Sequence, residues 1–235
     1  MGRNEEKIMA RLSVDEIQSR VASITDQDED TSALSADDYS LRLKYINTAQ
    51  DIWAETYPWQ TLYAEYNVLV STASANASIA LPNNFRKIAS YPQITYDGTS
   101  TAQFPEVLPQ EDSQFTDTDK RIWIMGDPQS GYIMRVFGVN LVSGASVKVP
   151  YTRSVGSLAS PADISIVPNA DYLVKYTVAQ IWESREDPRF PNAKAEATRT
   201  LSNMLEFENV HSRAADYGRV KTVDETKYNF RIGRD

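Results

Sequence analysis

The chain has 235 residues, 41% of them hydrophobic and 24% charged, with a formal net charge of −8. These are the proportions of a globular protein long enough to bury a core. It contains no cysteine and a single histidine, so disulfides, thiolate nucleophiles, thiolate zinc sites and multi-histidine metal sites within one chain are excluded. The commonest acid–base side chain is therefore almost absent, no cofactor is expected, and the chain is not expected to be an enzyme.

The charge is unevenly placed. Residues 5–38 carry ten acidic side chains against three basic ones, which accounts for nearly all of the net charge. That distribution argues against tight DNA binding, which needs a basic footprint. No apolar run approaches the length of a membrane span. The first residues, MGRNEEKIMARLSVDE, have charges where a signal peptide needs an apolar stretch, so the chain is expected to stay in the compartment where it is made.

Ser13-Val14-Asp15-Glu16 has the pattern of a capping box, and Val14, Ile17, Val21 and Ile24 follow at helical spacing, predicting a first helix. Asp26 to Ser35 reads as an acidic loop. Ser35 with Asp38 forms a second cap, followed by Tyr39, Leu43, Ile46, Gln50, Trp53 and Tyr57 on one face until Pro58 stops the helix.

From Trp59 the period changes to two. Leu62, Tyr66, Val68 and Val70 share one face of a predicted strand. Further strands are predicted at 78–81, 88–96, 121–125, 132–139 and 146–151, separated by turn formers such as Asp97-Gly98 and Ser143-Gly144. Residues 99–119 read as a polar excursion with little pattern. The helical period returns after Pro168, with Val174, Val178 and Ile181 on one face. Asp187-Pro188 and Pro191-Asn192 predict a tight break, and a last helix is expected from Ala193 to about Asp216, with Ala197, Leu201, Met204 and Leu205 facing inward.

The predicted fold class is α+β. Residues 1–58 and 168–217 would form a helical bundle from both chain ends, because each helix has one apolar stripe that needs a neighbour. Residues 59–167 would form an inserted antiparallel β module. Residues 218–235 would be an extended tail in which Tyr228, Phe230 and Ile232 alternate with Asn229 and Arg231, with five basic groups against three acidic. An alternating aromatic strand with basic flanks can add to the edge of another protein's sheet.

The catalytic and metal motifs fail on inspection. Asp26, Asp28 and Asp30 match the start of an EF-hand loop, but Thr31 stands where glycine is required and Asp37 where the longer Glu belongs. Gly126 and Gly131 have phosphate-loop spacing without the Lys-Ser/Thr that must follow, so a hairpin loop is the better reading. His211, near the end of the last helix, suits a dipole-complementing or interface position. No G-x-S-x-G elbow exists. A carboxylate pair for hydrolysis stays open, because any two acids can meet in space. Trp53, Tyr57 and Trp59 read as a hinge anchoring the β module on the helices. A base-stacking platform would want basic neighbours, and Asp51 and Glu55 stand there instead.

Several phrases taken in order resemble the head-to-tail adaptor (connector) proteins of tailed bacteriophages, of the tail-tubular type. They are Leu43-Lys44-Tyr45-Ile46-Asn47-Thr48-Ala49, Tyr57-Pro58-Trp59, Ile79-Ala80-Leu81-Pro82-Asn83-Asn84-Phe85-Arg86-Lys87-Ile88, and Val147-Lys148-Val149-Pro150-Tyr151-Thr152-Arg153 followed by Leu158, Asp163 and Val167-Pro168. The departures are the excursion at 99–119 and the acidic stretch at 26–30.

The resemblance implies a virion subunit at the head–tail interface, assembled in the host cytoplasm into a ring of about twelve copies. The ring would dock on the portal protein and present its β part to a downstream nozzle or tail tube, with the second and last helices supplying much of the ring contact. DNA would pass through the lumen without specific binding, and no membrane is involved. The tail residues Arg219, Lys221, Lys227, Tyr228, Phe230, Arg231, Ile232 and Arg234 would dock on the portal. The alternatives are another tail or head-completion component, such as a tail terminator, and a carboxylate-based hydrolase.

Overall fold

The structure, a computed structural model, describes residues 11–25 and 35–216, with side chains as far as 208. The fold is mixed helix and strand with antiparallel sheets.

Helix α1 spans Val14–Thr25 and begins at the expected capping box. The Glu16 carboxylate accepts from the backbone N–H and hydroxyl of Ser13 at 2.8 and 2.9 Å, and the Ser13 hydroxyl accepts from the Glu16 N–H at 3.3 Å. Helix α2 spans Ala36–Thr56, with Ser35 as its N-cap. Helix α3 spans Ala170–Ser184, capped by Asn169. Helix α4 spans Phe190–Asp216, so Pro191 lies in its first turn instead of in a break before it. A first-turn proline loses nothing, since its missing N–H would have had no acceptor.

The four helices contribute to one apolar core, with Ile17, Ile46, Trp53, Leu173, Val178 and Met204 among its members. Helix α3 packs against each of the other three. The inward stripe of α1 ends before Ile24, which is 44% exposed. On α4, Ala193, Ala197, Thr200 and Met204 are buried, and Leu201 and Leu205 pack on the core only in part.

Between α2 and α3 lie ten strands: β1 (Tyr63–Leu69), β2 (Ser74–Ala75), β3 (Ser78–Ala80), β4 (Phe85–Ile88), β5 (Gln93–Thr95), β6 (Thr101–Gln103), β7 (Arg121–Asp127), β8 (Gly131–Phe137), β9 (Asn140–Leu141) and β10 (Ser146–Arg153). The single strand expected over 88–96 is two, β4 and β5, because Pro92 cannot donate to a ladder. Both pair with β10, one with each end of it.

One sheet runs β1-β10-β5-β6 with β4 also on β10. A second runs β3-β8-β7, and β2 pairs with β9. The β7–β8 hairpin turns at residues 127–131, as the Gly126–Gly131 spacing predicted. The two larger sheets enclose a second core that includes Ile79, Phe85, Ile94, Ile122, Met134 and Val147.

The excursion at 99–119 is more ordered than its pattern suggested. It supplies β6, the fully buried Phe104, and residues 105–107, which lie along the outer edge of β7. There the Val107 N–H donates to the Ile122 carbonyl at 2.9 Å, and the Ile122 N–H donates to that of Pro105 at 3.0 Å. The excursion thus carries the chain from the edge of one sheet to the edge of the other and closes that side. On the opposite side, β1 and β3 have no strand on their outer edges among the described residues.

Arg121, 4% exposed, holds the excursion down. Its guanidinium donates to Asp112 at 2.6 Å and to the carbonyls of Thr116 and Asp119 at 2.9 and 3.0 Å, and it lies over the rings of Phe137 and Phe115. Gly138, at φ +82, faces the same loop closely enough that a Cβ would overlap the Asp119 carbonyl.

Candidate functional site

The tail residues Arg219, Lys221, Lys227, Tyr228, Phe230, Arg231, Ile232 and Arg234 lie outside the described residues, as do Asp26, Asp28 and Asp30. His211 lies on α4, beyond the described side chains.

Parts of the adaptor-like phrases meet at the junction between the helical and β cores, and the rest lie within one core or the other. Trp53 and Trp59 stack with ring centroids 5.0 Å apart, and Tyr57 meets Trp59 edge-on. The Trp59 indole N–H donates to the Trp53 carbonyl at 2.6 Å, fixing the turn that leaves α2. From the β side, the Arg86 guanidinium donates to the Ala54 carbonyl at 2.9 Å and sits 3.7 Å from the Glu55 carboxylate. Arg153 donates to the Thr61 carbonyl at 2.9 Å. On the far side of the turn, the Gln60 N–H donates to the Glu208 carboxylate of α4 at 2.9 Å. The aromatic trio thus fills the hinge position read from the sequence.

The segment after β10 does not belong with the strands. After Ser154, which still bonds the Asn84 carbonyl of the β region, residues 155–169 pass along the helices, and Leu158 and Val167 join the helical core. Two α2 side chains fasten this segment. Asn47 donates to the Leu158 carbonyl at 3.0 Å and accepts from its N–H at 2.8 Å. Gln50, 1% exposed, donates to the Gly156 carbonyl at 2.8 Å and accepts from the Ser165 hydroxyl at 2.7 Å. The Asp163 carboxylate gathers the N–H groups of Ala159 and Ser160, which hold it below the usual carboxylate range. The carbonyls of Asp163 and Pro161 in turn accept from Val14 and Asp15, whose N–H groups at the start of α1 have no helical partner.

On the outside of the helices, Leu41 of α2 and Phe207 of α4 are 42% and 53% exposed. A hollow of about 270 Å³ lies where α3 and α4 meet beside the end of α1, lined by Ile24, Val178, Trp182 and Ala193. Arg189 stands over the Trp182 ring at 4.4 Å and is paired with Asp187 at 2.7 Å, which draws the Asp187 pKa down to about 2.

For chemistry, the described residues hold no group of three or more His, Asp or Glu placed to bind a metal ion. Burial raises the pKa of Glu106 beside β7. Burial and then the nearby Glu55 raise that of Asp51 on α2, against an opposing pull from Arg86. These two acids belong to different parts of the fold. Asp112 and Asp117 do line one hollow of about 590 Å³, but Asp112 is the counter-ion of Arg121 there.

The residues that sequence reading missed are Asn47, Gln50, Arg86 and Arg121 as fasteners. Asn47 and Gln50 sit three apart near the inward stripe of α2, where polar residues among apolar ones signal a buried bond. Nothing in the sequence marks the partners of the two arginines. No protein-family model matches the chain, and no curated protein does.

Proposed function

We propose that the protein is a structural adaptor subunit of a tailed bacteriophage, forming a ring of about twelve copies between the portal and the next tail component. In this reading the helices from both chain ends make a bundle, and the strands form a module inserted in it. Residues 218–235 extend from α4 to grip the portal through the alternating Tyr228, Phe230 and Ile232 and the flanking basic groups. DNA passes through the lumen, where acidic lining discourages sticking. The exposed Leu41 and Phe207 on α2 and α4 supply apolar area for the contact between neighbouring subunits.

One observation carries the reading. The phrases that resemble the adaptor proteins are far apart in sequence, yet the later three are each tied to α2, which carries the first. Asn47 of the first phrase bonds Leu158 of the last, Tyr57 and Trp59 of the second pack by Trp53, and Arg86 of the third reaches the Ala54 carbonyl. A ring adaptor needs such a joint, because its helical and β parts address different partners and must hold one relative orientation.

The test is capture of the portal protein of the same particle by the full chain and by a chain ending at Tyr217. The full chain is expected to capture the portal and to give end-on rings in electron micrographs. The shortened chain is expected to lose capture while its melting temperature changes by no more than about 3 °C. A full chain that neither captures the portal nor forms rings on it overturns the reading.

A further inference from the structure

Among the described residues, the β core is open along the line between β1 and β3. A cleft of about 410 Å³ runs there, lined by Tyr66, Val68 and Val70 on one side and by Ala77, Ser78 and Ile79 on the other. Tyr66, Val68 and Val70 point toward the core yet stay only partly buried, because no described residue covers their free side. Both flanking strands end their sheets. A long open strand edge over apolar residues invites aggregation, and proteins commonly cover or blunt such edges. Here β1 offers seven residues of edge.

We infer that this cleft is the berth of residues 227–232 of the same chain, entering as a strand between β1 and β3. The segment Lys227-Tyr228-Asn229-Phe230-Arg231-Ile232 presents three apolar side chains on one face and polar ones on the other, the pattern a half-buried strand requires. Six residues span about 20 Å as a strand, against about 23 Å for β1. Tyr228, Phe230 and Ile232 cover Tyr66, Val68 and Val70, while Asn229 and Arg231 join the exposed Glu65 and Asn67 on the outside.

The chain is also in the right place to do this. Glu208 of α4 bonds the N–H of Gln60, just before β1, and α4 continues about 12 Å further to Asp216, so the tail begins within about that distance of this point. The ten residues 217–226 then span up to about 35 Å, more than the length of β1. A tether this short gives an effective concentration in the millimolar range, so a chain's own tail outcompetes that of a second copy at micromolar protein. The inference rests on the reading of 227–232 as a docking strand and adds where that strand sits before a partner's sheet edge competes for it.

The test is amide hydrogen exchange in the free protein. In the full chain the β1 amides are expected to exchange at least ~10-fold more slowly than in a chain ending at Tyr217, with α2 and α3 unchanged. The full-length double variant Tyr228→Lys, Phe230→Lys is expected to match the shortened chain. The protection should not change on tenfold dilution. Equal β1 exchange in all three proteins overturns the inference. So does protection that fades on dilution, which would make the occupant a second copy. Since no portal is present, failure here leaves the adaptor reading untouched, and failure of portal capture leaves the berth untouched.

Discussion

The helical core draws its buried residues from positions as far apart as Leu12 and Met204, whereas the β core takes all of its buried members from between Ala77 and Tyr151. Contacts over long sequence separations cost more loop-closure entropy before they contribute. The β core closes within residues 63–153, with β7–β8 as a local hairpin but β1 and β3 pairing with β10 and β8 over long separations, while the helical core is complete only when α1 and α2 meet α3 and α4. Three of the four polar fasteners follow the same division, and Arg86 bridges the two regions through the Ala54 carbonyl. Arg121 reaches acceptors at most nine residues away. Asn47 and Gln50 reach partners 111 and 106 residues away.

This contrast can be broken at its strongest point first. Trp53 is fully buried in the helical core and stacks on Trp59. Trp53→Ala is expected to destabilise by about 3–5 kcal/mol through the cavity it leaves. Urea unfolding followed by circular dichroism measures this, and a loss below about 1 kcal/mol would mean that the joint does not depend on the aromatic stack.

Arg121→Met tests the β side alone. It keeps apolar volume near Phe137 but strips Asp112 and two carbonyls of their donor. The expected cost is about 2–4 kcal/mol. Proteolysis should then cut within 108–119 while α2 and α3 stay resistant. Cutting in the helices as well would show that the two cores do not respond separately.

The smallest effect concerns the segment that ties the regions together. Backbone N–H groups of Ser160 and Ala159 hold the Asp163 pKa below its unfolded value of about 4. The stabilisation is therefore complete above about pH 4 and is lost as pH falls through the folded pKa. Asp163→Asn removes that titration. At neutral pH it should lower the melting temperature by only a few degrees, on the order of 2 °C. Below about pH 4 its melting temperature should fall less steeply than that of the parent. Parallel curves would show that Asp163 carries none of the acid sensitivity.

Much of the local structure was readable from the sequence. The caps at Ser13 and Ser35, the stop at Pro58, the hinge at Trp53 to Trp59 and the turn between β7 and β8 depend on neighbours within a few residues, where spacing and side-chain type suffice. The excursion at 99–119 was not readable. Phe104 and Val107 are buried there without periodicity, because they follow an irregular path set by β7 and by Arg121. The Pro92 break within 88–96 was visible as a residue, but its effect depends on β10 accepting both halves.

What the sequence determined by itself was the inventory: four one-sided helices, an antiparallel strand-rich middle, and the residues that begin and end most of them. Only the tertiary structure decided that residues 155–169 lie with the helices, that the excursion closes one side of the β core, and that among the described residues β1 and β3 leave the other side open. The physical reason is range. Caps, turns and amphipathic stripes are selected by interactions within one or two turns of chain. Bonds such as that from Asn47 to Leu158 exist only because packing has already brought distant backbone within hydrogen-bond reach.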